Sequence, residues 1–334
     1  MIELANPHVR ALVAPLAAML VDAVFLIDGR EHRPLARAPW IDANGIGERG
    51  LDAHPGHLRV LGGDFVGLPF GASGAPAGLD AAWAGLIPDA APDPVHGHAA
   101  EFEWSVLEQT ADSVRLGIDY PLDSPIARLE RTIGLRADAA AIDFQLDVIA
   151  RATATVSVAL HPILRLPDEP GELSIEVPFT TGFTYPGRID PGLGPTAPWR
   201  EFTSLSSIPA RDGGVVDFSR VPLETPVQDN VLLAGVTGPV HARFADTGTH
   251  VTIEWDRALV PNLMLWLSDG VIDEEPWNGR YRGLGVEPLA AAFDFADSVS
   301  IAANPLTERG VRTAIDVATA RPLVIRHSIA VEAS

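Results

Sequence analysis

The stretch 142–149 reads IDFQLDVI, with an apolar side chain at every second position of its first seven residues. Successive side chains of a β-strand point to opposite faces, so this spacing predicts a strand with one buried and one solvated face. The segments 114–120 (VRLGIDY) and 251–255 (VTIEW) alternate in the same way, and the second follows the turn-like sequence DTG at 246–248. We therefore expect a mainly antiparallel, all-β protein.

Helix signals are sparse in the rest of the chain. The segment 75–86 either forms one short helix or is a loop of small residues, and no repeat of fixed period occurs. The composition, with 47% hydrophobic and 20% charged residues, is that of a globular protein. We expect two packed β-sheets with few short helices, which form a single domain over residues 1–334.

The chain contains neither cysteine nor lysine, and all 24 of its basic residues are arginine. The first absence excludes thiolate nucleophiles, disulfides and cysteine-ligated zinc. The second excludes Schiff-base chemistry and the P-loop lysine. The formal net charge of −20 repels phosphate backbones and anionic membrane surfaces. We expect neither nucleic acid nor a membrane as a partner, whereas a neutral ligand such as a sugar is not repelled.

An apolar run at 11–27 needs to be distinguished from a targeting segment. Pro15 and Asp22 interrupt it, so it fits neither a signal peptide nor a membrane-spanning helix. The pair Asp28-Gly29 that follows is a hairpin signal, which predicts a strand, a turn and a second strand. By default, we expect a cytoplasmic location.

Two ionisable residues stand out by their positions on strand-like runs. In the run 156–161 (VSVALH), the valines and the leucine form one face, and His161 shares the other with a serine and an alanine. In the run 283–287 (GLGVE), Glu287 shares a face with two glycines. An imidazole and a carboxylate that both rise above small side chains suit a general acid/base pair in a shared cleft.

Each of these two residues also has a structural interpretation. A histidine in this position is commonly a core residue that bonds a backbone carbonyl, so the spacing alone leaves catalysis by His161 open. A carboxylate such as Glu287 is rarely buried without a partner. It is either paired with Arg280 or Arg282, or kept for function.

A second group of histidines lies in the segment 94–99 (PVHGHA), where His96 and His98 flank a glycine and Glu101 and Glu103 follow. Two histidines and a carboxylate are conceivable zinc ligands. The same residues also fit a solvated loop, a structural hydrogen bond or a sugar contact. Because the sequence offers no clear third ligand, we expect no metal and no other cofactor.

Two further residues have both a structural and a functional interpretation. Asp229 precedes the apolar strand 231–233 and has the position of a turn or cap residue. Trp266 lies in the apolar run 263–267 (LMLWL) and is by default a core aromatic. At a cleft, its ring would instead stack on the apolar face of a sugar.

Short motifs spread over almost the whole chain resemble those of the aldose 1-epimerase (galactose mutarotase-like) superfamily, in the family's order. The family patterns are an early Gly-x-x-Pro-Phe loop, a His-Gly-Phe-Ala…Trp segment, His-Pro-Tyr-Phe-Asn-Leu, Leu-x-Leu-Trp and Leu-Glu-Pro. The similar stretches are 63–71 (GDFVGLPFG), 95–99 (VHGHA) with Trp104, 160–166 (LHPILRL), 263–266 (LMLW) and 283–288 (GLGVEP).

The resemblance implies a β-supersandwich fold with the site on the concave face of one sheet. It also implies a cofactor-independent interconversion of sugar anomers, in which Glu287 is the general base and His161 the general acid. The mechanism needs an ionised carboxylate and a protonated imidazole near pH 7, so we expect a cleft that raises both pKa values only moderately. The substrate-binding residues that the resemblance implies are His96 and Asp229. We add His98 and Trp266 as candidate sugar contacts on the grounds given above.

Three departures from the family's pattern affect the substrate, and one of them is Arg165, which stands where the family commonly has an asparagine. Residues 71–73 are Gly-Ala-Ser where the family has an arginine that contacts the sugar, and aliphatic residues at 163–164 replace two aromatics. They leave two other functions open. One is a non-catalytic sugar-binding protein, and the other is a sugar-phosphate epimerase that binds phosphate through Arg165, Arg280 and Arg282. The expected partner is in each case a small carbohydrate.

Overall fold

The computed structural model describes residues 1–189, 191–192 and 194–333, and strands form most of its regular structure. In chain order, the strands are β1 (Ile2–Ala5), β2 (Val9–Ala14), β3 (Met19–Ile27), β4 (Arg30–His32), β5 (Val66–Gly67), β6 (Ser105–Gln109), β7 (Ser113–Asp119), β8 (Ile126–Leu135), β9 (Ala141–Ala150), β10 (Ala154–Val156), β11 (Val158–Leu160), β12 (Ile163–Arg165), β13 (Leu173–Glu176), β14 (Thr181–Thr184), β15 (Glu201–Phe202), β16 (Ile208–Pro209), β17 (Val215–Val216), β18 (Arg220–Val221), β19 (Gln228–Ala234), β20 (Val240–Phe244), β21 (Thr249–Trp255), β22 (Asn262–Asp269), β23 (Arg282–Ala290), β24 (Ile315–Val317) and β25 (Leu323–Ala333). The helical segments are α1 (His98–Glu101), α2 (Asp297–Ile301) and short 3₁₀ segments at Leu51–Ala53, Gly56–Val60, Ala81–Trp83 and Thr307–Arg309. The prediction of an all-β protein with few short helices is confirmed.

Two large antiparallel sheets form the frame of the molecule. A nine-stranded sheet has the order β18-β13-β20-β21-β25-β9-β8-β7-β6. An eight-stranded sheet has the order β15-β14-β19-β22-β23-β11-β5, and β12 also pairs with β23. The strands β1 to β4 form a separate sheet, and the pairs β10-β24 and β16-β17 are small additions.

The alternating stretch 142–149 becomes β9, which pairs with β8 on one side and β25 on the other. Its residues Phe144, Leu146 and Val148 are at most 2% exposed. They belong to one hydrophobic cluster with Leu284 and Val286 of the eight-stranded sheet. Each such side chain contributes about 1.5–3 kcal/mol when it is fully buried. The main core is therefore shared by the two large sheets.

The hairpin predicted at 28–29 is present in the structure, whereas the segment 75–86 does not form the helix that was one of its two interpretations. The hairpin predicted at Asp28-Gly29 joins β3 to β4, and both residues have positive φ values, 49° and 74°, as a tight two-residue hairpin turn requires. The segment 75–86 is a loop rather than a helix. Its only helical part is the 3₁₀ segment Ala81–Trp83, which starts where Asp80 accepts a hydrogen bond from the N–H of Ala82 at 3.0 Å.

A buried ionic contact fixes the segment that leads into β5. Arg131 of β8 has a side chain that is 1% exposed, and its guanidinium donates to Oδ1 of Asp64 at 2.6 Å. It also donates to the carbonyl of Ala18 at 2.7 Å. Phe65, which follows Asp64 directly, is thus held in place from the nine-stranded sheet.

No helix in the described residues is long and apolar enough to cross a lipid bilayer.

Candidate functional site

The face of the eight-stranded sheet that points away from the main core carries a pocket. Side chains alternate along β22 and β23, so Leu265 and Val286 enter the core cluster, whereas Trp266 and Glu287 line the pocket. In the register of these strands, Met264 lies opposite Glu287. The pleat of two adjacent strands therefore places an aromatic ring and a carboxyl on one surface.

His161 follows β11 and turns its ring into the same pocket. Its backbone N–H donates to the carbonyl of Phe65 at 2.9 Å. The Phe65 ring stacks on the imidazole, with centroids 4.3 Å apart and planes at 22°. Nδ1 of His161 has no hydrogen-bond partner among the described residues, so packing holds the ring and its polar atoms remain available.

Glu287 points from the middle of β23 toward that imidazole. Oε1 of Glu287 lies 3.3 Å from Nε2 of His161, yet neither carboxyl oxygen makes a hydrogen bond of proper geometry within the described chain. A Cβ atom on Gly285 would lie 2.4 Å from Oε1. The carboxyl can take this position only because residue 285 has no side chain.

The arginines considered as partners of Glu287 or as phosphate ligands lie elsewhere. Each is bound to a carboxylate: Arg280 to Glu48 at 3.0 Å, Arg282 to Asp269 at 2.6 Å, and Arg165 to Asp246 at 2.7 Å. The pocket-lining residues that the structure describes include no arginine. Pairing of Glu287 with Arg280 or Arg282 is therefore wrong, and these three side chains do not converge on the pocket.

Burial determines where the proton of the acid/base pair resides. It lowers the pKa of His161 to about 4. It raises the pKa of Glu287 well above its ordinary value, and the charge of Asp294 adds to this effect. The expectation that the cleft raises both pKa values is therefore wrong for His161. The proton shared by the pair resides on Glu287 rather than on the imidazole.

Two more histidines line the pocket. His96 and His57 are 8% and 4% exposed, with ring centroids 5.0 Å apart, and His96 lies 5.6 Å from His161. Burial lowers the pKa of His57 to about 3 and that of His96 well below its ordinary value, so both rings are neutral. The sequence analysis missed His57 because a single histidine in a 3₁₀ segment carries no periodic signal.

His98, expected as a substrate contact or metal ligand, is not among the described residues that line the pocket. It begins α1, where its Nε2 lies 3.2 Å from the carbonyl oxygen of Asp119 and its ring packs on Phe102 and Tyr120. The glycine before it has φ 78° and turns the chain, so the two neighbouring imidazoles diverge. In the described part of the chain, no group of three His, Asp or Glu side chains is arranged to hold a metal ion.

Asp229 is buried but does not belong to the described lining of the pocket. Its carboxylate accepts hydrogen bonds from the backbone N–H groups of Thr196 and Asn230, both at 2.9 Å, and burial raises its pKa to about 6. Its neighbours Gln228 and Asn230 line the pocket instead, each with an oxygen that has no partner in the described residues. Asp229, which the resemblance implies as a sugar ligand, therefore lies one residue away from the side chains of β19 that meet the pocket.

Trp266 is half-buried in the pocket wall, not in the interior of the core. Its indole stacks on Tyr281 with centroids 5.9 Å apart and planes at 18°, and it meets His161 edge-on at 6.0 Å. Trp277 contacts it edge-on, also at 6.0 Å. These rings give the pocket an aromatic wall, which is the geometry that the stacking interpretation of Trp266 requires.

A second carboxyl, which the sequence analysis did not single out, shares the pocket. Asp294 is 7% exposed, and its Oδ2 accepts a hydrogen bond from Oγ of Ser73 at 2.6 Å. Oδ1 makes no hydrogen bond of proper geometry within the described chain. Burial raises the pKa of this carboxyl, and the hydroxyls of Ser73 and Tyr185 partly oppose the shift. The preceding Phe293 has φ 52°, a conformation that bulky residues rarely adopt. The turn breaks the alternation of β23, so a period-two pattern does not reach Asp294.

The pocket has a volume of about 390 Å³, within the range of small-molecule sites. Many of its buried polar atoms have no hydrogen-bond partner among the described residues. They are Nδ1 of His57, His96 and His161, Oε1 of Gln228, Oδ1 of Asn230 and of Asp294, and both carboxyl oxygens of Glu287. Because buried polar atoms are nearly always hydrogen-bonded, this concentration is typical of a site for a polar ligand.

No family model matches the chain, and no curated protein matches its sequence significantly. Several solved structures are nevertheless similar over nearly its whole length. An aldose epimerase homologue from C. elegans gives a TM-score of 0.62 at 14% identity, covering 99% of this chain and 98% of the other. A galactose mutarotase-like protein from Clostridium acetobutylicum gives 0.60 at 12%, with 99% and 95% covered. A galactose mutarotase-like protein from Lactobacillus casei gives 0.58 at 14%, with 99% and 100% covered. The chain therefore has the β-sandwich fold of the galactose mutarotase-like proteins.

Proposed function

We propose that this protein is an aldose 1-epimerase, which interconverts the anomers of a sugar by general acid/base ring opening. The observation that carries the proposal is the pair of Glu287 and His161, which lie 3.3 Å apart in the pocket. Neither oxygen of Glu287 has a hydrogen-bond partner in the described chain. The fold shared with mutarotase-like structures is consistent with this proposal, although a fold alone does not determine function.

Ring opening requires removal of a proton from the anomeric hydroxyl and delivery of a proton to the ring oxygen. Glu287, when ionised, takes the hydroxyl proton, and protonated His161 delivers a proton to the ring oxygen as the bond between C1 and that oxygen breaks. The open-chain aldehyde then rotates about the C1–C2 bond. On closure the two residues exchange roles, so each turnover returns the pair to its starting state.

The opposite pKa shifts of the two groups fit this cycle because the pair holds a single proton throughout. The form with a protonated Glu287 and a neutral His161 is the form in which ring opening ends. It is also the form at rest, so ring opening starts once the proton has moved from Oε1 of Glu287 to Nε2 of His161, which lie 3.3 Å apart. General acid/base catalysis of this kind contributes about 10²–10⁴-fold to a rate.

Binding of a sugar is supported by the remaining pocket residues. Trp266 offers a ring face on which the apolar side of a sugar stacks. Asn230, Gln228 and His96 offer polar atoms to its hydroxyl groups. A phosphorylated substrate is disfavoured because none of the three candidate phosphate ligands lines the pocket. Each is paired with a carboxylate elsewhere: Arg165, Arg280 and Arg282.

The test is the polarimetric rate of anomer equilibration for the wild type, Glu287→Gln and His161→Asn, with common aldoses. Glutamine keeps the shape of the side chain but cannot take the proton, so we expect the rate to fall at least about 10²-fold while sugar affinity changes little. Glu332→Gln, at an exposed position, is the matched control and should retain the full rate.

Two results would change the conclusion. A wild type that binds an aldose but equilibrates it no faster than buffer is a sugar-binding protein and not an epimerase. If Glu287→Gln is as fast as the wild type, the enzyme is retained but Glu287 has no part in its mechanism.

A further inference from the structure

The pocket holds two buried carboxyl groups, and its described lining contains no arginine. Glu287 is 1% exposed and Asp294 is 7% exposed. Both oxygens of Glu287 and Oδ1 of Asp294 lack a hydrogen-bond partner among the described residues. Buried carboxyls are normally paired with a cation or with several donors. Among the described residues, Glu287 has the neutral imidazole of His161 at 3.3 Å, and Asp294 has the hydroxyls of Ser73 and Tyr185, so neither carboxyl has a cationic partner.

Asp294 is held firmly at this position by the segment 71–73. Its backbone carbonyl accepts from the N–H groups of Ala72 at 2.6 Å and of Ser73 at 3.0 Å. The hydroxyl of Ser73 donates to its Oδ2. A Cβ atom on Gly71 would lie 2.7 Å from the carbonyl oxygen of Phe295, so the close approach of the two segments depends on a glycine. The segment 71–73 thus fixes the backbone and the carboxyl of Asp294 at the pocket.

The other ionisable groups around the pocket do not balance these carboxyls. The three histidines are neutral, as described above, and Glu274 adds a further carboxylate at the exposed rim. Arg188 lines an adjoining depression that shares Ala72, Ser73 and Ile189 with the pocket. The described lining of the pocket itself therefore holds carboxyl groups and no arginine, so a cationic ligand would meet no like charge there.

We propose that the sugar bound here is an amino sugar, whose ammonium group is bound by Asp294 while Glu287 faces the anomeric hydroxyl. This inference rests on the proposed function and specifies its substrate class. An ammonium group has three donors for the free carboxyl oxygens and forms charge-assisted hydrogen bonds with them. Its charge also favours the ionised form of nearby carboxyls, which is the form that Glu287 needs as a base.

The experiment is calorimetric binding at about pH 6, where an amine of this kind is charged. The probes are glucosamine and galactosamine, the neutral sugars glucose and galactose, N-acetylglucosamine, and glucose 6-phosphate. We expect an amino sugar to bind at least about tenfold more tightly than the neutral sugar of the same configuration, the scale of a hydrogen bond to a charged group. N-acetylglucosamine, which lacks the charge, should lose this advantage.

Asp294→Asn keeps an acceptor for Ser73 but removes the charge. It should reduce the amino-sugar preference, measured as the ratio of amino-sugar affinity to neutral-sugar affinity in the same variant, to about one. Asp123→Asn, at an exposed position away from the pocket, makes the same change in net charge and should keep the preference. If Asp294→Asn does not fold, the wild-type comparison of the amino sugar with its N-acetyl form decides.

The outcomes separate this inference from the proposed function. Equal binding of amino and neutral sugars, tighter binding of the phosphate, or a preference that survives Asp294→Asn overturns the inference, even where the wild type accelerates anomer equilibration. Tight binding of amino sugars without any acceleration supports the inference and overturns the epimerase proposal. Failure to bind any of the probes overturns both.

Discussion

Oδ2 of Asp64 lies 2.6 Å from Nε2 of His327, although 263 residues separate the two in the sequence. The other oxygen of Asp64 is bound to Arg131, and all three side chains are at most 2% exposed. The cluster connects the segment before Phe65 to the strands β8 and β25. Because Phe65 stacks on His161, the position of the imidazole depends on an ionic contact outside the pocket.

We expect Asp64→Asn to lower the free energy of unfolding by about 3–5 kcal/mol, because it leaves Arg131 buried without a counter-charge. Urea denaturation measures this loss. The double variant Asp64→Asn/Arg131→Met removes the uncompensated charge and should recover most of the stability. Glu201→Gln, which breaks the surface pair with Arg309, is the control and should cost far less. A loss for Asp64→Asn no larger than that of the control contradicts the prediction.

Glu287→Gln is expected to stabilise the fold at neutral pH, by on the order of 1 kcal/mol. At about pH 4 and below, the carboxyl is largely protonated in both the folded and the unfolded chain, so the two proteins should melt alike. As pH rises, the unfolded chain ionises first because burial raises the folded pKa. The wild type therefore loses stability between the ordinary and the raised pKa, and the glutamine variant does not. If the melting temperatures of the wild type and the variant differ by a constant amount over this pH range, the prediction is contradicted.

The pH profile of kcat/KM for anomer equilibration should be bell-shaped, because the pair must hold one proton. Below about pH 4, His161 gains a proton, so the pair holds two protons and has no base. At high pH Glu287 loses its proton, and the pair has no acid. Since burial raises the pKa of Glu287, this alkaline limb should lie above the ordinary range of a carboxyl. A rate that instead declines through the ordinary carboxyl range would refute the shared-proton cycle.

The neighbours Asn230 and Asp229 should respond differently to substitution. Asn230→Ala removes a polar group from the pocket, and we expect sugar affinity to fall about tenfold at an unchanged melting temperature. Asp229→Asn replaces the acceptor for the N–H of Thr196 with a weaker one and should lower the melting temperature with little effect on affinity. Calorimetric measurement of sugar binding and thermal melting of both variants test these two expectations. The reverse result would restore Asp229 as the sugar ligand.

Much of the fold followed from local alternation, because the side-chain period of a strand is fixed by its pleat. The same period placed His161 and Glu287 each on the face of its own run that carries small residues, and the sheet brings the two together in the structure. Trp266, by default a core aromatic, lines the same pocket. Asp229 is an exception, because it was chosen from the family resemblance and not from the alternation of side chains. Along β19, alternation puts Gln228 and Asn230 on the face that meets the pocket and Asp229 on the other face.

The remaining parts of the site depend on contacts that no local pattern contains. Asp294 follows a residue with positive φ, and His57 lies in a short 3₁₀ segment, so neither has a periodic neighbour. The ion pair of Arg280 with Glu48 spans 232 residues. Such a pairing is decided by the topology of the sheets, and so the sequence did not reveal that Glu287 lacks an arginine partner.

The position of β25 has a consequence for the order of events during synthesis. This strand, Leu323–Ala333, lies between β21 and β9 in the middle of the nine-stranded sheet. A nascent chain that ends before residue 323 therefore carries two groups of strands with unsatisfied edges facing each other. Such edges are prone to pair with other chains, and closure by a distant strand is slow. We expect the newly made protein to need protection from aggregation until its C-terminal strand has left the ribosome.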